Sequence, residues 1–471
     1  MRIVGRRAEQ QMLARLEEST RPEFLALYGR RRVGKTFLIR EYFSDRLAFD
    51  LTGTLGASRT EQLASFDRAA ERRGVPSRAR SWAQAFETLR SLLEADQRLG
   101  KKIVFLDELP WLATKKSGLL EALGHFWNSW GSTRPDLLLI VCGSSTSWMV
   151  DRLLINQGGL HNRLTANIFL QPFTLGECEE FLRDRGLVMN RYQQVESYMI
   201  FGGIPAYLTL LQPHLGLAQN VDALCFASGG VLRTEFENLY GSLFAQPYNH
   251  VAIIRALAGA PKGLTREEVL AITGLPKGGG ATKALSDLVR SGFVRQYQGF
   301  GKKRRDALIQ LVDPFTLFST RFLGDDAVRD PRYWSNSTAA PRHAAWSGLA
   351  FEKVALLHTQ QIRKALGIEG VLTDIGSWTG SSGGERAQID LVLDRADHIV
   401  DLCEMKFTIG EYSVSAEYER KLVRKRSVFA AATGTRKAVR LVLVTTYGLI
   451  PGVHAGAFQA VVTMDDLFAQ A

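Results

Sequence analysis

Between Phe24 and about Leu170, short apolar runs alternate with amphipathic stretches. The runs Phe24–Tyr28, Leu47–Leu51, Ile103–Leu106, Leu137–Cys142 and Ala166–Leu170 are brief and almost wholly apolar, as buried strands are. Thr36–Phe43, Trp82–Glu94 and Leu119–Trp130 lie between them as helical stretches. Strands that alternate with helices predict a parallel, doubly wound sheet, so the fold class is α/β. A more helical stretch follows from Leu175 to Leu211, interrupted by Gly202-Gly203-Ile204-Pro205.

From Tyr248 the pattern changes. His250–Leu257 predicts one helix, Thr265-Arg266-Glu267-Glu268 opens a second, and a Gly-rich turn leads into a third, Ala281–Arg290, ended by Gly292. Phe293–Tyr297 and Ala307–Val312 then flank Lys302-Lys303-Arg304-Arg305 like two strands and their loop. Three short helices followed by a basic hairpin predict a winged helix-turn-helix. Asp325 to Pro341 has many charges, two prolines and little periodicity, and reads as a linker. Beyond it come a helix (Ser347–Leu366), two alternating strands around Asp390 and Glu404, and a basic helix (Tyr418–Ala430). An apolar strand, Arg440–Thr445, and a short closing helix complete a further α/β domain.

Length adds that 471 residues suit two to four domains rather than one core. The formal net charge of +11 changes the picture more, because a basic excess of that size predicts a polyanion partner, nucleic acid first among them. Cys142, Cys178, Cys225 and Cys403 are scattered, with no paired spacing and no His at metal-ligand spacing, which predicts buried free thiols in a reducing cytoplasm. The first residues carry charge where a secretion signal needs an apolar stretch, and no apolar run approaches the roughly 18 residues that cross a bilayer. The expectation is a cytoplasmic protein with no membrane partner.

One motif is specific. Gly29-Arg30-Arg31-Arg32-Val33-Gly34-Lys35-Thr36, followed by Phe37, matches G-x-x-x-x-G-K-S/T between a predicted strand and a predicted helix. The two glycines let backbone N–H groups wrap phosphates, and the helix N-terminus adds its positive dipole end. Lys35 is expected at the β- and γ-phosphates of ATP and the Thr36 hydroxyl on Mg²⁺. Ile103-Val104-Phe105-Leu106-Asp107-Glu108 delivers two carboxylates at the end of another strand, Asp107 for the metal and Glu108 to activate water. Gly143-Ser144-Ser145 ends the next strand, and Ser144 or Ser145 is a candidate sensor of the γ-phosphate. Arg163 precedes the following strand as a candidate arginine finger, in cis or across a homo-oligomer boundary.

Val4-Gly5-Arg6-Arg7, Glu9, the phosphate loop, Phe105-Leu106-Asp107-Glu108, Cys142-Gly143-Ser144-Ser145 and Phe201-Gly202-Gly203-Ile204-Pro205 resemble, in order, the archaeal-type ATPase family. That family belongs to the AAA+/STAND-like P-loop proteins, and the resemblance covers roughly the first 245 residues. It implies that Gly5 and Arg6 lie near the adenine and that Gly203 to Pro205 belong to a lid.

In a winged helix the third helix enters the major groove and the wing contacts phosphates. Lys277, Lys283 and Arg290 lie on or next to that helix, and Lys302 to Arg305 lie at the wing tip. In the last domain, Gln388-Ile389-Asp390 lies on one strand and Glu404-Met405-Lys406 on the next, with Glu352 on a helix upstream. Glu404 and Lys406, two apart, share a face, and a tight turn around Arg395 to Asp397 makes the strands antiparallel. Asp390 and Glu404 then come close enough to share Mg²⁺, with Lys406 beside them to orient water or steady a phosphate. This is similar to the PD-(D/E)XK nuclease superfamily, with Glu352, Asp390, Glu404 and Lys406 in its motif positions, although Ile389 stands where a proline often precedes the aspartate.

The expected division is a P-loop ATPase core at 1–172, a helical lid at 173–245, a winged helix-turn-helix at 246–324 and a restriction-endonuclease-like domain at 325–471. The expected function is an ATP-binding, ATP-hydrolysing protein that acts on DNA with a metal-dependent nuclease-like domain, in DNA processing or defence. The alternative is a non-cleaving, ATP-dependent DNA-binding switch; a third reading is a signalling scaffold that never touches DNA.

Overall fold

Each apolar run of the first half forms a strand: β1 Glu23–Tyr28, β2 Leu47–Thr52, β3 Lys102–Asp107, β4 Leu137–Gly143 and β5 Ala166–Phe169. They pair in parallel in the order β2-β3-β4-β1-β5. β1, β3 and β4 are buried at every position, as a sheet covered on both faces requires. The loops that leave β1, β3 and β4 therefore share the carboxyl edge of one sheet. Phe49, Phe66, Trp82, Phe86 and Phe126 fill the layer between this sheet and its helices, each worth on the order of 2 kcal/mol on burial. The helix Arg59–Glu71 is fixed at its start by a capping box between Ser58 and Glu61. All of this lies in one of two compact units, Met1–Gln171 and Pro172–Ala471. The computed structural model describes residues 2–155, 159–160, 162–244, 246–301, 307–324 and 330–470.

The second unit starts with the helices Leu175–Asp184 and Arg191–Phe201, followed after Gly202-Gly203 by Pro205–Leu208. Further on, the helices Pro247–Ala258, Arg266–Thr273 and Gly279–Arg290 pack on a three-stranded antiparallel sheet. Its strands are β6 Leu264–Thr265, β7 Val294–Tyr297 and β8 Leu308–Leu311, in the order β6-β8-β7. β6 is only two residues long and has no periodicity to read. Ile253, Leu257, Val269, Leu285, Leu288 and Phe293 form the core of this module. Lys302 to Arg305 lie outside the described residues.

The expected linker is a correction. Within it, Tyr333–Ser337 is a helix, and Trp334 is 4% exposed among Phe318, Phe322 and Trp346, with ring centroids 5.2, 5.1 and 5.4 Å away. The backbone N–H groups of Trp334 and Ser335 donate to the Asp222 carboxylate at 2.8 and 3.2 Å. One tryptophan anchors the segment, and a carboxylate remote in sequence satisfies the N–H groups at the helix start. Charge-rich composition hides both. The single helix expected at Ser347–Leu366 is also corrected: it is two, Pro341–Leu357 and Thr359–Ala365, separated at His358.

A mixed sheet closes the unit, with β9 Thr373–Ser382, β10 Glu385–Arg395, β11 Ile399–Lys406, β12 Ala438–Thr445 and β13 Ala460–Val462 in the order β13-β12-β11-β10-β9. β9, β10 and β11 run antiparallel, and β11, β12 and β13 run parallel. The basic helix, Ala416–Thr433, buries Leu422, Val428 and Phe429 against this sheet and leaves Lys421 and Arg424 exposed. Among the described residues, no helix is long and apolar enough to cross a membrane.

Candidate functional site

The first site forms where β1 turns into the helix Lys35–Phe43. Gly29 has φ +151°, and a Cβ there would lie 2.3 Å from the Leu170 carbonyl oxygen, so no side chain fits. Gly34 has φ +92° with open space around its missing Cβ, so here the conformation and a clear approach to the backbone both require glycine. Lys35 is 5% exposed, and its Nζ donates to the carbonyls of Gly29 and Arg30 at 2.9 Å each. Burial pulls its ammonium below the usual lysine range, against the carboxylates of Glu108 and Asp107. The ammonium is thus stored inside the loop, where a phosphate would offer better acceptors.

Thr36 Oγ1 donates to Asp107 Oδ2 at 2.9 Å, which brings together two hard oxygen donors of the kind that Mg²⁺ takes. Asp107 ends β3 at 2% exposure, and its Oδ1 accepts from the Glu108 N–H at 3.1 Å. Glu108 is left-handed, with φ 48° and ψ 52°, a conformation that costs a residue with a side chain about 1–2 kcal/mol. Its Oε2 accepts from both the backbone N–H and the hydroxyl of Ser144, at 3.0 and 2.8 Å. Ser144 therefore holds Glu108 in this structure. Burial, with Asp107 beside it, pushes the Cys142 thiol well up and keeps it protonated.

Arg6, also left-handed, donates from Nη2 to the Val33 carbonyl at 3.1 Å, so the Gly5-Arg6 turn touches the phosphate loop directly. The Arg31 guanidinium lies 5.4 Å from the Trp111 ring centroid, Arg30 is buried, Arg32 has φ 70°, and Phe37 is 39% exposed. Arg163 is exposed in the turn before β5, and among the described residues no hydrogen bond or ion pair joins it to the phosphate loop.

The second site lies in the second unit, where β10 meets β11. The ladder pairs Leu391 with Cys403; one step further stand Asp390 and Glu404. Between Ile389 and Val392 the pairing of β10 with β9 shifts, a bulge that falls on Asp390 and Leu391. Asp390 accepts from the Gln388 side-chain amide. Glu404 Oε2 accepts from the Tyr418 hydroxyl at 3.0 Å, and its Oε1 pairs with Lys425. Lys406 Nζ lies 4.7 Å from the Tyr418 ring centroid. Burial lowers its ammonium, with Glu404 and Asp390 acting against Lys425 and Lys421. Glu352 pairs with Lys353, which also donates to the Pro261 carbonyl at 3.1 Å. Burial raises the Glu352 carboxyl, with Asp390 among the charges that add to the rise.

The small sheet supplies residues that sequence reasoning missed. Arg295 on β7 donates to Gln310 at 2.7 Å and covers the Tyr297 ring at 4.3 Å, and the carboxylates of Glu352 and Asp390 are among the charges acting on it. Tyr418 and Lys353 are the other missed neighbours; Lys425 belongs to the basic helix read from the sequence, and only its pairing with Glu404 is new. Helical spacing gives a signal for the basic helix alone, where Lys421 and Lys425 share a face. Among the described residues no three His, Cys, Asp or Glu side chains gather as a metal cage, so a divalent ion here would rest on two carboxylates and other oxygens.

Residues 3–211 match the family model described as an ATPase domain predominantly from Archaea; the chain therefore carries an ATPase domain of that kind. The uncharacterized protein MJECL04 of Methanocaldococcus jannaschii is 24% identical over 387 residues, 80% of this chain and 81% of that protein. Among solved structures, the Walker-type ATPase PABY2304 of Pyrococcus abyssi is similar at 20% identity and a TM-score of 0.49, over 68% of this chain and 96% of that one. Cdc6p of Pyrobaculum aerophilum is similar at 16% identity and a TM-score of 0.32, over 68% of this chain and 94% of that one. A chain of Drosophila ORC bound to DNA is similar at 13% identity and a TM-score of 0.33, over 68% of this chain and 87% of that one.

Proposed function

We propose, from the ATPase domain in residues 3–211, that the chain binds ATP with Mg²⁺ at the phosphate loop and hydrolyses it there. The observation that carries this is the junction of two strand ends, with Thr36 on Asp107 at 2.9 Å and Glu108 beside them. Lys35 would exchange the carbonyls of Gly29 and Arg30 for phosphate oxygens, and the N–H groups from Arg30 to Thr36 would surround the anion. Thr36 and Asp107 would hold Mg²⁺, which when bound neutralises phosphate charge. Glu108 would accept a proton from water once Ser144 releases it, and Ser144 would then face the γ-phosphate. The test is a pair of variants. Lys35→Ala is expected to lose tight ATP binding, and Glu108→Gln to bind ATP but hydrolyse it at least about 100-fold more slowly. Wild-type hydrolysis by Glu108→Gln would sink the assignment of the base.

The polyanion partner is DNA in this reading. The net charge of +11 and a three-helix module carrying a three-stranded sheet support a winged helix, with Lys277, Lys283 and Arg290 on its third helix or next to it. Asp390 and Glu404, each one step beyond the last ladder pair of β10 and β11 and both acting on the Lys406 ammonium, support a metal-dependent phosphodiesterase of the PD-(D/E)XK kind. Asp390→Ala is expected to abolish Mg²⁺- or Mn²⁺-dependent cleavage of supercoiled, linear or branched DNA and to leave ATP hydrolysis near wild type. If wild-type protein cuts none of these, the second reading takes over: a non-cleaving, ATP-dependent DNA-binding switch. The engagement of each carboxylate by protein donors favours that second reading in the metal-free form.

A further inference from the structure

The carboxylates of the second site carry internal cations of two different kinds. Lys353, paired with Glu352, has a side chain only 1% exposed and is tied to the Pro261 carbonyl, so it belongs to the interior. Lys425, paired with Glu404, is 20% exposed and stands on the basic helix, one turn from the exposed Lys421. Glu404 has both oxygens in use, one on Lys425 and one on the Tyr418 hydroxyl. A divalent ion that arrives at Glu404 meets an ammonium already on the oxygen it needs, and two cations on one oxygen repel. A phosphodiester gives that ammonium another acceptor within the same basic surface.

We propose that Lys425 is a built-in competitor for the divalent ion at Glu404, and that a nucleic-acid phosphate draws it off, so that metal and DNA bind the site together and poorly apart. This rests on the reading of Asp390 and Glu404 as metal ligands, and it adds how that site is kept closed. One ion pair, Lys425 with Glu404, is exchanged for two: Lys425 with phosphate and Glu404 with the metal. Tyr418 keeps its hydrogen bond throughout and preserves the position of the carboxylate. By reciprocity, the factor by which DNA tightens metal binding equals the factor by which metal tightens DNA binding.

The experiment titrates Mn²⁺, read by its free-ion EPR signal, into the full chain without nucleotide, with and without a short DNA duplex. Wild type, Lys425→Gln, Lys425→Arg, Tyr418→Phe and Asp390→Asn are compared, each with its melting curve. A hydrogen bond to a charged group is worth about tenfold or more in an equilibrium constant. Lys425→Gln is therefore expected to bind Mn²⁺ about tenfold more tightly than wild type without DNA and to gain little more when DNA is added. Wild type and Lys425→Arg should gain about tenfold from DNA, and Tyr418→Phe should behave as wild type because the competing charge remains. Equal, Asp390-dependent Mn²⁺ affinity in wild type and Lys425→Gln would overturn the inference and leave the metal site standing. No Asp390-dependent Mn²⁺ binding by any variant, with or without DNA, would overturn the metal site itself and the inference with it.

Discussion

Among the described residues, Ser144 holds the Glu108 side chain, through two hydrogen bonds to the same oxygen. The backbone N–H would remain in any variant at 144, and only the hydroxyl would be removed. If the hydroxyl passes from Glu108 to the γ-phosphate, Ser144→Ala should lower the ATP hydrolysis rate about three- to tenfold and weaken ATP in equilibrium titration by no more than that, near the worth of one hydrogen bond. An unchanged rate would mean that the hydroxyl has no part in releasing or placing Glu108. Much of this site is legible in sequence, because Gly29, Gly34, Lys35, Thr36, Asp107 and Glu108 lie within two short motifs whose flanks fix strand and helix. The hydrogen bond between Glu108 and Ser144 is not: it joins residues 36 apart on neighbouring strands, and no periodicity records which oxygen meets which donor. The same limit hides Lys425 on Glu404, 21 residues away, and Asp222 under Trp334, 112 residues away.

At the scale of elements, the break between Pro341–Leu357 and Thr359–Ala365 has a chemical signature. His358 is 1% exposed, its Nδ1 lies 2.8 Å from the Val354 carbonyl, and its Nε2 accepts from the Leu175 N–H at 2.9 Å. That pairing fixes the neutral ring with its proton on Nδ1, and burial depresses the pKa to about 4. A histidine that is harder to protonate folded than unfolded stabilises the fold fully above its unfolded pKa, about 6.5. That stability is lost as pH falls from about 6.5 towards 4, by about 3 kcal/mol in all. Urea unfolding at pH 7.5 and 4.5 should show this loss in wild type, and His358→Gln should flatten it; equal pH dependence in both proteins would refute the assignment. The five parallel strands of the first unit are legible because their apolar runs are too short for buried helices and alternate with amphipathic stretches. β9, with Thr, Ser and Gly at seven of ten positions, has a mixed burial pattern, and its place comes from its partner β10 rather than from its own composition.

For the whole molecule, the basic excess is the property to test, since Lys302 to Arg305 concentrate four charges in four residues. If they meet phosphates, their replacement by alanine should weaken binding to every duplex alike. It should also reduce the slope of log affinity against log salt by roughly 0.9 for each phosphate that is no longer neutralised. An unchanged slope measured by anisotropy would assign the wing to protein packing. The net charge and the motif order are open to reading in the sequence, whereas the folding of Tyr333–Ser337 onto an aromatic cluster is masked by the charges around it. The four cysteines have a practical use. Cys142 lies in the first unit and Cys178, Cys225 and Cys403 in the second, all of them buried. A thiol reagent should thus find almost nothing on the native protein, and each site that reacts becomes a clock for the opening of its own unit. Mass spectrometry of a timed alkylation would follow two unfolding rates in one sample, with nothing engineered into the chain.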